Sequence, residues 1–162
     1  MVEEGLFNLF PCDAVFSLHN EPRLPLGQFA FRDGPIMAAV DEARITVHGS
    51  GGHGSEPENT ADPIVVGASI VMALQTIVAR NIQPFEPAVV TVGSFHGGSA
   101  SNIIPSEVEL VIGIRSFDPA TRDFIEKRIT EIAKFQAESY GMTASVDYER
   151  SYDATVNHTA ET

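Results

Sequence analysis

A histidine inside a glycine-rich loop is the residue of this sequence best placed to do chemistry. His53 lies in the segment 49–63, GSGGHGSEPENTADP, between a strand pattern and the start of a predicted helix. Flanking glycines leave the imidazole ring uncrowded and allow backbone conformations that other residues avoid. An imidazole presented in this way can transfer protons, bind a metal ion or polarise a carbonyl group. Two plainer interpretations stay open on chemistry alone, a phosphate-binding loop and a flexible turn.

Three further polar side chains lie where a binding site could be built. His19 follows the apolar residues 13–18, which we predict to be a short buried strand, and open α/β sheets carry their sites at the carboxyl ends of strands. Taken alone, His19 is more often an ordinary core or surface histidine. Asn102 lies in the loop 97–105 and is either a turn residue or an amide donor to a substrate oxygen. Arg115 lies on the polar face of a predicted strand, either solvated or clamping a carboxylate.

The composition is that of a soluble globular protein. With 162 residues, 43% apolar and 20% charged, the chain is long enough for one hydrophobic core. Its 22 acidic and 10 basic residues give a net charge of −12, which argues against binding nucleic-acid phosphates. The single cysteine, Cys12, excludes an intrachain disulfide, and its apolar neighbours predict that it is buried. We find neither a signal peptide nor a segment apolar enough to span a membrane, and expect a cytoplasmic protein.

The hydrophobic patterning predicts a definite order of elements between residues 41 and 150. Alternating apolar residues predict strands at 43–47, 88–94, 108–114 and 143–149. Asp-Pro pairs at 62–63 and 118–119 supply helix caps and first-turn prolines, and they predict two helices ending near Arg80 and Gly141. The second helix should bury the stripe Ile125, Ile129, Ile132 and Phe135. The order β-α-β-β-α-β is that of a ferredoxin-like α+β fold, with an antiparallel sheet and both helices on one face.

Several longer motifs occur together and in a specific order. They are LHNEPRLPLG at 18–27, GGHGSEP at 51–57 followed by DPI at 62–64, ALQTIVARN at 73–81, VGSFHGGSASNIIP at 92–105 and GIRSF at 113–117. On these motifs the chain resembles the aminoacylase/carboxypeptidase type of dinuclear metallohydrolases, in the branch of hippurate hydrolases and N-acyl-amino-acid amidohydrolases. The resemblance covers essentially the whole chain.

The resemblance implies a catalytic domain that binds two divalent metal ions and an inserted lid domain that forms the dimer. Residues 1–38 would close the first half of the catalytic domain, 39–150 would form the lid, and 151–162 would return toward the catalytic domain. Of the family's metal ligands, only His19 has a matching position here; the cysteine-and-histidine motif, the glutamate general base and the final histidine have none. We therefore expect an inactive piece of a longer enzyme that binds no metal ion alone, whether the parent uses zinc, manganese, cobalt or nickel.

The resemblance also implies roles for the polar residues. His53 would reach into the partner subunit's active site and stabilise the oxyanion formed when an N-acyl amino acid is hydrolysed. Asn102 would bind the substrate, and Arg115 matches a substrate contact more weakly. The expected partners are a second copy of the chain, bound through the lid, and a small N-acyl amino acid, with no nucleic acid or membrane. The alternative is a non-catalytic dimerisation or small-molecule-binding module, because a ferredoxin-like fold alone implies no function.

Overall fold

The computed structural model describes residues 1–162 and divides them into two compact units, Met1–Phe31 and Arg32–Thr162. The first unit contains one short helix, α1 (Leu6–Leu9), which follows Gly5 in the left-handed conformation. The rest of this unit has no regular secondary structure.

Two predictions for the first unit are wrong. Residues 13–18 form no strand and are exposed, and Cys12 is exposed rather than buried. A strand is stable only when neighbouring strands satisfy its backbone N–H and C=O groups, and the first unit contains no other strand. The apolar run therefore has the composition of a core strand but no sheet within its own unit.

The second unit contains the predicted ferredoxin-like fold together with four short additional strands. In chain order its elements are β1 (Gly34–Met37), β2 (Ala39–His48), β3 (Gly52–His53), α2 (Pro63–Thr76), β4 (Ala88–His96), β5 (Ile103–Ile104), β6 (Glu107–Ser116), α3 (Pro119–Ser139), β7 (Thr143–Tyr152) and β8 (Thr155–Asn157). The main sheet has the order β4-β6-β2-β7, and every neighbouring pair is antiparallel. The predicted α+β class and the β-α-β-β-α-β order are confirmed.

Both helices of this unit begin at the Asp-Pro pairs seen in the sequence. Asp62 accepts a hydrogen bond from the backbone N–H of Ile64 at 2.9 Å, and Asp118 accepts one from that of Thr121 at 2.8 Å. The helix α2 continues into a π-helical turn, Ile77–Asn81. The helix α3 stops before Gly141, whose φ of 73° a residue with a side chain rarely adopts.

The α2 helix with its π-helical turn is the most apolar segment of the chain. Over Pro63–Asn81 its mean hydropathy is 1.7, so by length and composition it could cross a membrane, and the prediction that no segment is apolar enough to do so is wrong. In the fold, however, Val66, Ile70 and Leu74 are buried against the sheet. Packing in the core accounts for the apolar character of this face.

The hydrophobic core lies between the two helices and one face of the sheet. Burial alternates along β2 and β6, as expected for strands with one covered face. Phe135 was predicted to belong to the buried stripe of α3, but it is 59% exposed, because Ala133 and Ala137 occupy the buried side of this turn. The side chains with no exposed surface are Ala43, Ile45, Val47, Val66, Ile70, Ile77, Val108, Leu110, Ile112, Ile114, Ile125, Ile129, Ala133 and Ala137.

A short two-stranded ribbon carries the chain into and out of the sheet. Strands β1 and β8 pair antiparallel, with Gly34 opposite Asn157, and lie directly before β2 and after β7. Asn157 Nδ2 donates to the carbonyl of Arg32 at 2.8 Å and so extends the pairing. The predicted lid limits, 39 and 150, fall at the start of β2 and inside β7. The assignment of the flanking segments to a catalytic domain stays a prediction.

A buried ion pair holds the ribbon end of the sheet together. Arg122 of α3 donates from Nε to Asp41 of β2 at 2.9 Å, and from Nη2 to the carbonyl of Tyr152 at 3.2 Å. Asp153 accepts a further bond from Nη1, and the hydroxyl of Tyr148 donates to Asp41 at 2.9 Å. Hydrogen bonding to Asp41 raises the pKa of Arg122, and burial raises the pKa of Tyr148. Both groups therefore keep their protons at neutral pH.

Replacing Arg122 by Met should destabilise the second unit strongly. The side chain of Asp41 is 1% exposed, and it would be left as an uncompensated buried charge. Breaking a buried pair in this way costs about 3–5 kcal/mol of the free energy of unfolding, measured by urea denaturation. Arg44→Met is the matched control, because its ion pair with Glu109 is exposed and should contribute less than about 1 kcal/mol. Equal losses in the two variants would contradict the importance of the buried pair.

Candidate functional site

The His53 loop begins at the end of β2, and its two ends are hydrogen-bonded to each other. Gly49 donates its backbone N–H to the carbonyl of Ser106 at 2.8 Å, and Ser50 and Ala61 exchange two backbone hydrogen bonds of 2.9 Å. The chain therefore leaves and returns at one point, with residues 51–60 between. A Cβ on Gly49 would lie 2.3 Å from the carbonyl oxygen of Ala61, so only glycine permits this closure.

A two-residue ladder brings the His53 loop to the Asn102 loop. Strand β3 pairs antiparallel with β5, with His53 opposite Ile103. The next residue, Gly54, donates its backbone N–H to the carbonyl of Asn102 at 2.7 Å. Two candidate residues that are 49 positions apart in the sequence are thus neighbours in the fold. Neither the ladder nor its register was predicted, because two-residue strands are too short to show a period.

The side chains of His53 and Asn102 are both exposed and able to bind a ligand. The Nδ1 atom of His53 is bonded by Ser55, from the backbone N–H at 3.2 Å and from the hydroxyl oxygen at 2.8 Å. These are the only hydrogen bonds of the imidazole ring within the chain, so Nε2 is left for an external partner. The side-chain amide of Asn102 has no hydrogen-bond partner within the chain. His53 and Asn102 therefore present an imidazole and an amide on the same part of the protein surface.

Arg115 lies away from this pair. It is eight residues beyond Glu107 along β6, which is about 27 Å at ~3.4 Å per residue, whereas Asn102 lies just before the start of that strand. Its side chain lines an open depression of about 330 Å³ together with Val89, Thr91, Gly93 and Gly113. Its Nη1 donates to the carbonyl of Ile114 at 2.7 Å. Arg115 therefore lies on a different part of the surface from His53 and Asn102.

His19 lies in the first unit, on an exposed segment without regular structure. Its Nδ1 is 2.7 Å from the carbonyl oxygen of Asn20, which can only accept, so Nδ1 carries the proton and Nε2 is free to bind a metal ion. Close by, hydrogen bonds from Arg23 lower the pKa of Glu21 to about 2. The chain contains no cluster of three or more histidine, cysteine or acidic side chains able to hold a metal ion. A single imidazole does not make a metal site, and the assignment of His19 as a metal ligand stays a prediction.

Comparisons with known proteins agree on one family. Residues 40–141 match the family model described as a peptidase dimerisation domain. Hippurate hydrolase of Campylobacter jejuni is 38% identical over 158 residues, and thermostable carboxypeptidase 2 of Saccharolobus solfataricus is 40% identical over 159. These alignments cover 98% of this chain but 41% and 40% of the two relatives.

Other relatives agree on the family and differ in their substrates. N-acetyl-L-cysteine deacetylase of Bacillus subtilis is 36% identical over 148 residues, 91% of this chain and 35% of the relative. Among solved structures, the YXEP protein of Bacillus subtilis, described as a dinuclear metal binding peptidase from the M20 family, superimposes with a TM-score of 0.66. It is 26% identical, and the match covers 87% of this chain and 34% of that one. The chain thus spans about two fifths of the length of the curated relatives it matches.

Replacing Gly51 by Ala should separate the two loops without unfolding the sheet. A Cβ there would lie 2.7 Å from the backbone oxygen of Ile104, so β3 and β5 must move apart. The amide of Gly54, which bonds to Asn102, should then exchange with solvent at least about tenfold faster by NMR. Gly113→Ala is the matched control, because nothing lies within 4 Å of its Cβ position. A Gly54 amide that exchanges equally slowly in both variants would refute the close approach.

Proposed function

Because the chain belongs to the peptidase dimerisation domain family of M20 amidohydrolases and peptidases, we propose that it is the lid region of a metal-dependent enzyme that hydrolyses N-acyl amino acids. The observation that carries this proposal is the ladder that presents His53 and Asn102 together, each with free polar atoms. A module that only dimerised would not need an unpaired imidazole and amide in glycine-rich loops. The non-catalytic alternative is therefore the weaker one.

The proposed substrate class rests on the chemistry shared by the relatives. Hippurate, N-acetyl-L-cysteine and N-acetyldiaminopimelate are all N-acyl amino acids, in which an amide stands next to a carboxylate. A carboxypeptidase, the name of two other relatives, cleaves the amide next to the C-terminal carboxylate of a peptide. We propose this common arrangement, an amide beside a carboxylate, as the substrate class of the whole enzyme. The acyl group stays open, because the relatives differ in it.

In this proposal, three side chains of the chain contact different parts of a substrate. Nε2 of His53 donates a hydrogen bond to the carbonyl oxygen as negative charge develops on it. The amide of Asn102 binds a substrate oxygen beside it. Arg115 forms no ion pair within the chain, and it is a weaker candidate for the substrate carboxylate, because its position along β6 separates it from His53 and Asn102 of the same chain.

His19 is proposed to bind a metal ion in the complete enzyme. Its Nδ1–H bond to Asn20 fixes the ring, so that Nε2 is the ligating atom. The chemistry that divalent metal ions supply in such a site is activation of a water molecule for attack on the amide. The remaining ligands and the general base would come from outside residues 1–162. The donor of this chain, a single imidazole, is compatible with zinc, manganese, cobalt or nickel.

We further propose that His53 serves the active site of the partner subunit. The ribbon of β1 and β8 is the connection between the sheet and the rest of the chain, and β2 leads away from it for ten residues, about 30 Å. His53 follows the far end of β2. It therefore lies on the side of the lid opposite its own point of attachment, where a second copy can be reached.

The surface proposed for dimerisation is the β4 edge with the outer side of α2. The two edge strands of the main sheet differ: β7 carries Asp147, Glu149 and Arg150, whereas β4 has no charged residue. Charges protect an edge from pairing, so β4 is the edge left open to a second copy. Beside it, α2 exposes Val65 and Met72, seven residues apart and thus on one side of the helix.

In the full-length protein that contains this chain, His53→Ala should lower kcat by ~10² to 10³ while leaving the dimer intact. Steady-state kinetics and sedimentation measure the two effects. An activity within twofold of the wild type would refute the catalytic role.

Mixing the inactive His53→Ala and His19→Ala proteins under subunit exchange tests the action across the dimer. Half of the dimers would be mixed, and each would hold one intact site, so about a quarter of the wild-type activity should return. No recovery would show that His53 acts in its own subunit.

The dimer surface is tested by placing the same substitution on both edges of the sheet. Thr91→Glu on β4 would bring two carboxylates together across the two-fold axis and should weaken self-association of this chain at least about tenfold in sedimentation equilibrium. Thr143→Glu on the β7 edge is the matched control and should leave the association unchanged. The opposite result would assign the interface to β7, and a wild-type chain that stays monomeric at high concentration would refute self-association.

A further inference from the structure

We propose that Ser55 is a positioning residue that holds the neutral ring of His53 in the tautomer with its proton on Nε2. The catalytic consequence rests on the proposed function above, because it concerns the hydrogen bond that His53 donates to the substrate. The tautomer itself does not depend on that function. It is a property of this loop and is measurable in the chain alone.

The evidence is that two donors of one residue converge on a single ring nitrogen. The backbone N–H of Ser55 is 3.2 Å from Nδ1 of His53, and the Ser55 hydroxyl oxygen is 2.8 Å from the same atom. A backbone N–H can only donate, so Nδ1 must accept and carries no proton. The neutral imidazole has one ring proton, which is then on Nε2.

A tight turn explains why Ser55 lies against the ring. Glu56 donates its backbone N–H to the carbonyl of His53 at 2.9 Å, which closes a four-residue turn with Ser55 at its third position. The β3–β5 ladder and the bond from Gly54 to Asn102 hold the start of this turn. The ring is thus held by hydrogen bonds from Ser55 at Nδ1, whereas Nε2 has no hydrogen-bond partner within the chain.

The consequence is a histidine prepared as a hydrogen-bond donor. In the other neutral tautomer, Nε2 would present a lone pair to the substrate and would repel a developing oxyanion. Oxyanion stabilisation needs donors that are already oriented when charge develops, since reorienting them during the reaction costs free energy. Ser55 supplies this orientation without touching the substrate.

The test is ¹⁵N NMR of the histidine ring nitrogens in the 162-residue chain at a pH where the rings are neutral. The signals of His53, one of five histidines, are assigned by their loss in His53→Gln. The wild type should show a protonated Nε2 and an unprotonated Nδ1. Ser55→Ala removes the hydroxyl but keeps the N–H, and should raise the ratio of the Nδ1–H to the Nε2–H form about fivefold, the effect of one ordinary hydrogen bond.

Two variants make the result specific. Ser55→Thr keeps a hydroxyl at the same place and should restore the wild-type pattern. Ser101→Ala, an exposed serine beside Asn102 with no bond to His53, should leave it unchanged. A wild-type His53 protonated on Nδ1, or a tautomer ratio that Ser55→Ala does not move, would overturn the proposal.

A kinetic measurement separates this inference from the proposed function. In the full-length enzyme, Ser55→Ala should lower kcat in proportion to the fraction of His53 that leaves the Nε2–H form in the NMR spectrum, at unchanged KM, and Ser55→Thr should recover it. If the tautomer shifts in the NMR spectrum while His53→Ala keeps full activity, Ser55 positions the ring but the catalytic role of His53 is wrong. If His53→Ala is inactive and the tautomer does not shift, the catalytic role stands and Ser55 has no part in it.

Discussion

The ion pair between Asp41 and Arg122 is the constraint on which the architecture of the second unit depends. It joins the first turn of α3 to the beginning of β2 and, through Tyr152 and Asp153, to the end of β7. Taking two charges out of water is unfavourable unless further hydrogen bonds satisfy them, and the hydroxyl of Tyr148 supplies one of these. Hydrophobic contacts hold the helices against the sheet but are not directional. The hydrogen bonds of this network are directional, and they fix the positions at which the chain enters the sheet at β2 and leaves it at β7.

The main elements could be predicted because each carries a local signal. Strand β6 alternates over ten residues, and the Asp-Pro pairs mark both helix starts. The failures have equally physical causes. Residues 13–18 have the composition of a strand, but their unit contains no second strand. Their backbone N–H and C=O groups therefore have no strand to pair with. Arg122 and Asp41 are 81 positions apart, and no periodicity reports a contact of that kind.

The candidate site shows the same division between local and long-range information. Glycines around His53 and Asn102 marked both residues as accessible, and the structure places both in exposed loops. Their proximity depends on a two-residue ladder, and that ladder depends on the absence of a side chain at Gly51. Ser55 gave no signal in the sequence, since a serine two residues after a histidine is common, and only the turn that folds it back makes it a neighbour of Nδ1.

The ribbon of β1 and β8 has a consequence for how this unit can be inherited. Because the incoming and outgoing strands are hydrogen-bonded neighbours, the two ends of the β-α-β-β-α-β unit lie as close together as the two strands of a hairpin. Chain ends that lie side by side let a domain be inserted into a surface turn without separating the elements on either side. A unit connected in this way can keep its own fold while the rest of the protein that carries it changes in specificity. Deacetylases, carboxypeptidases and a hippurate hydrolase that share this region are the expected outcome of that arrangement.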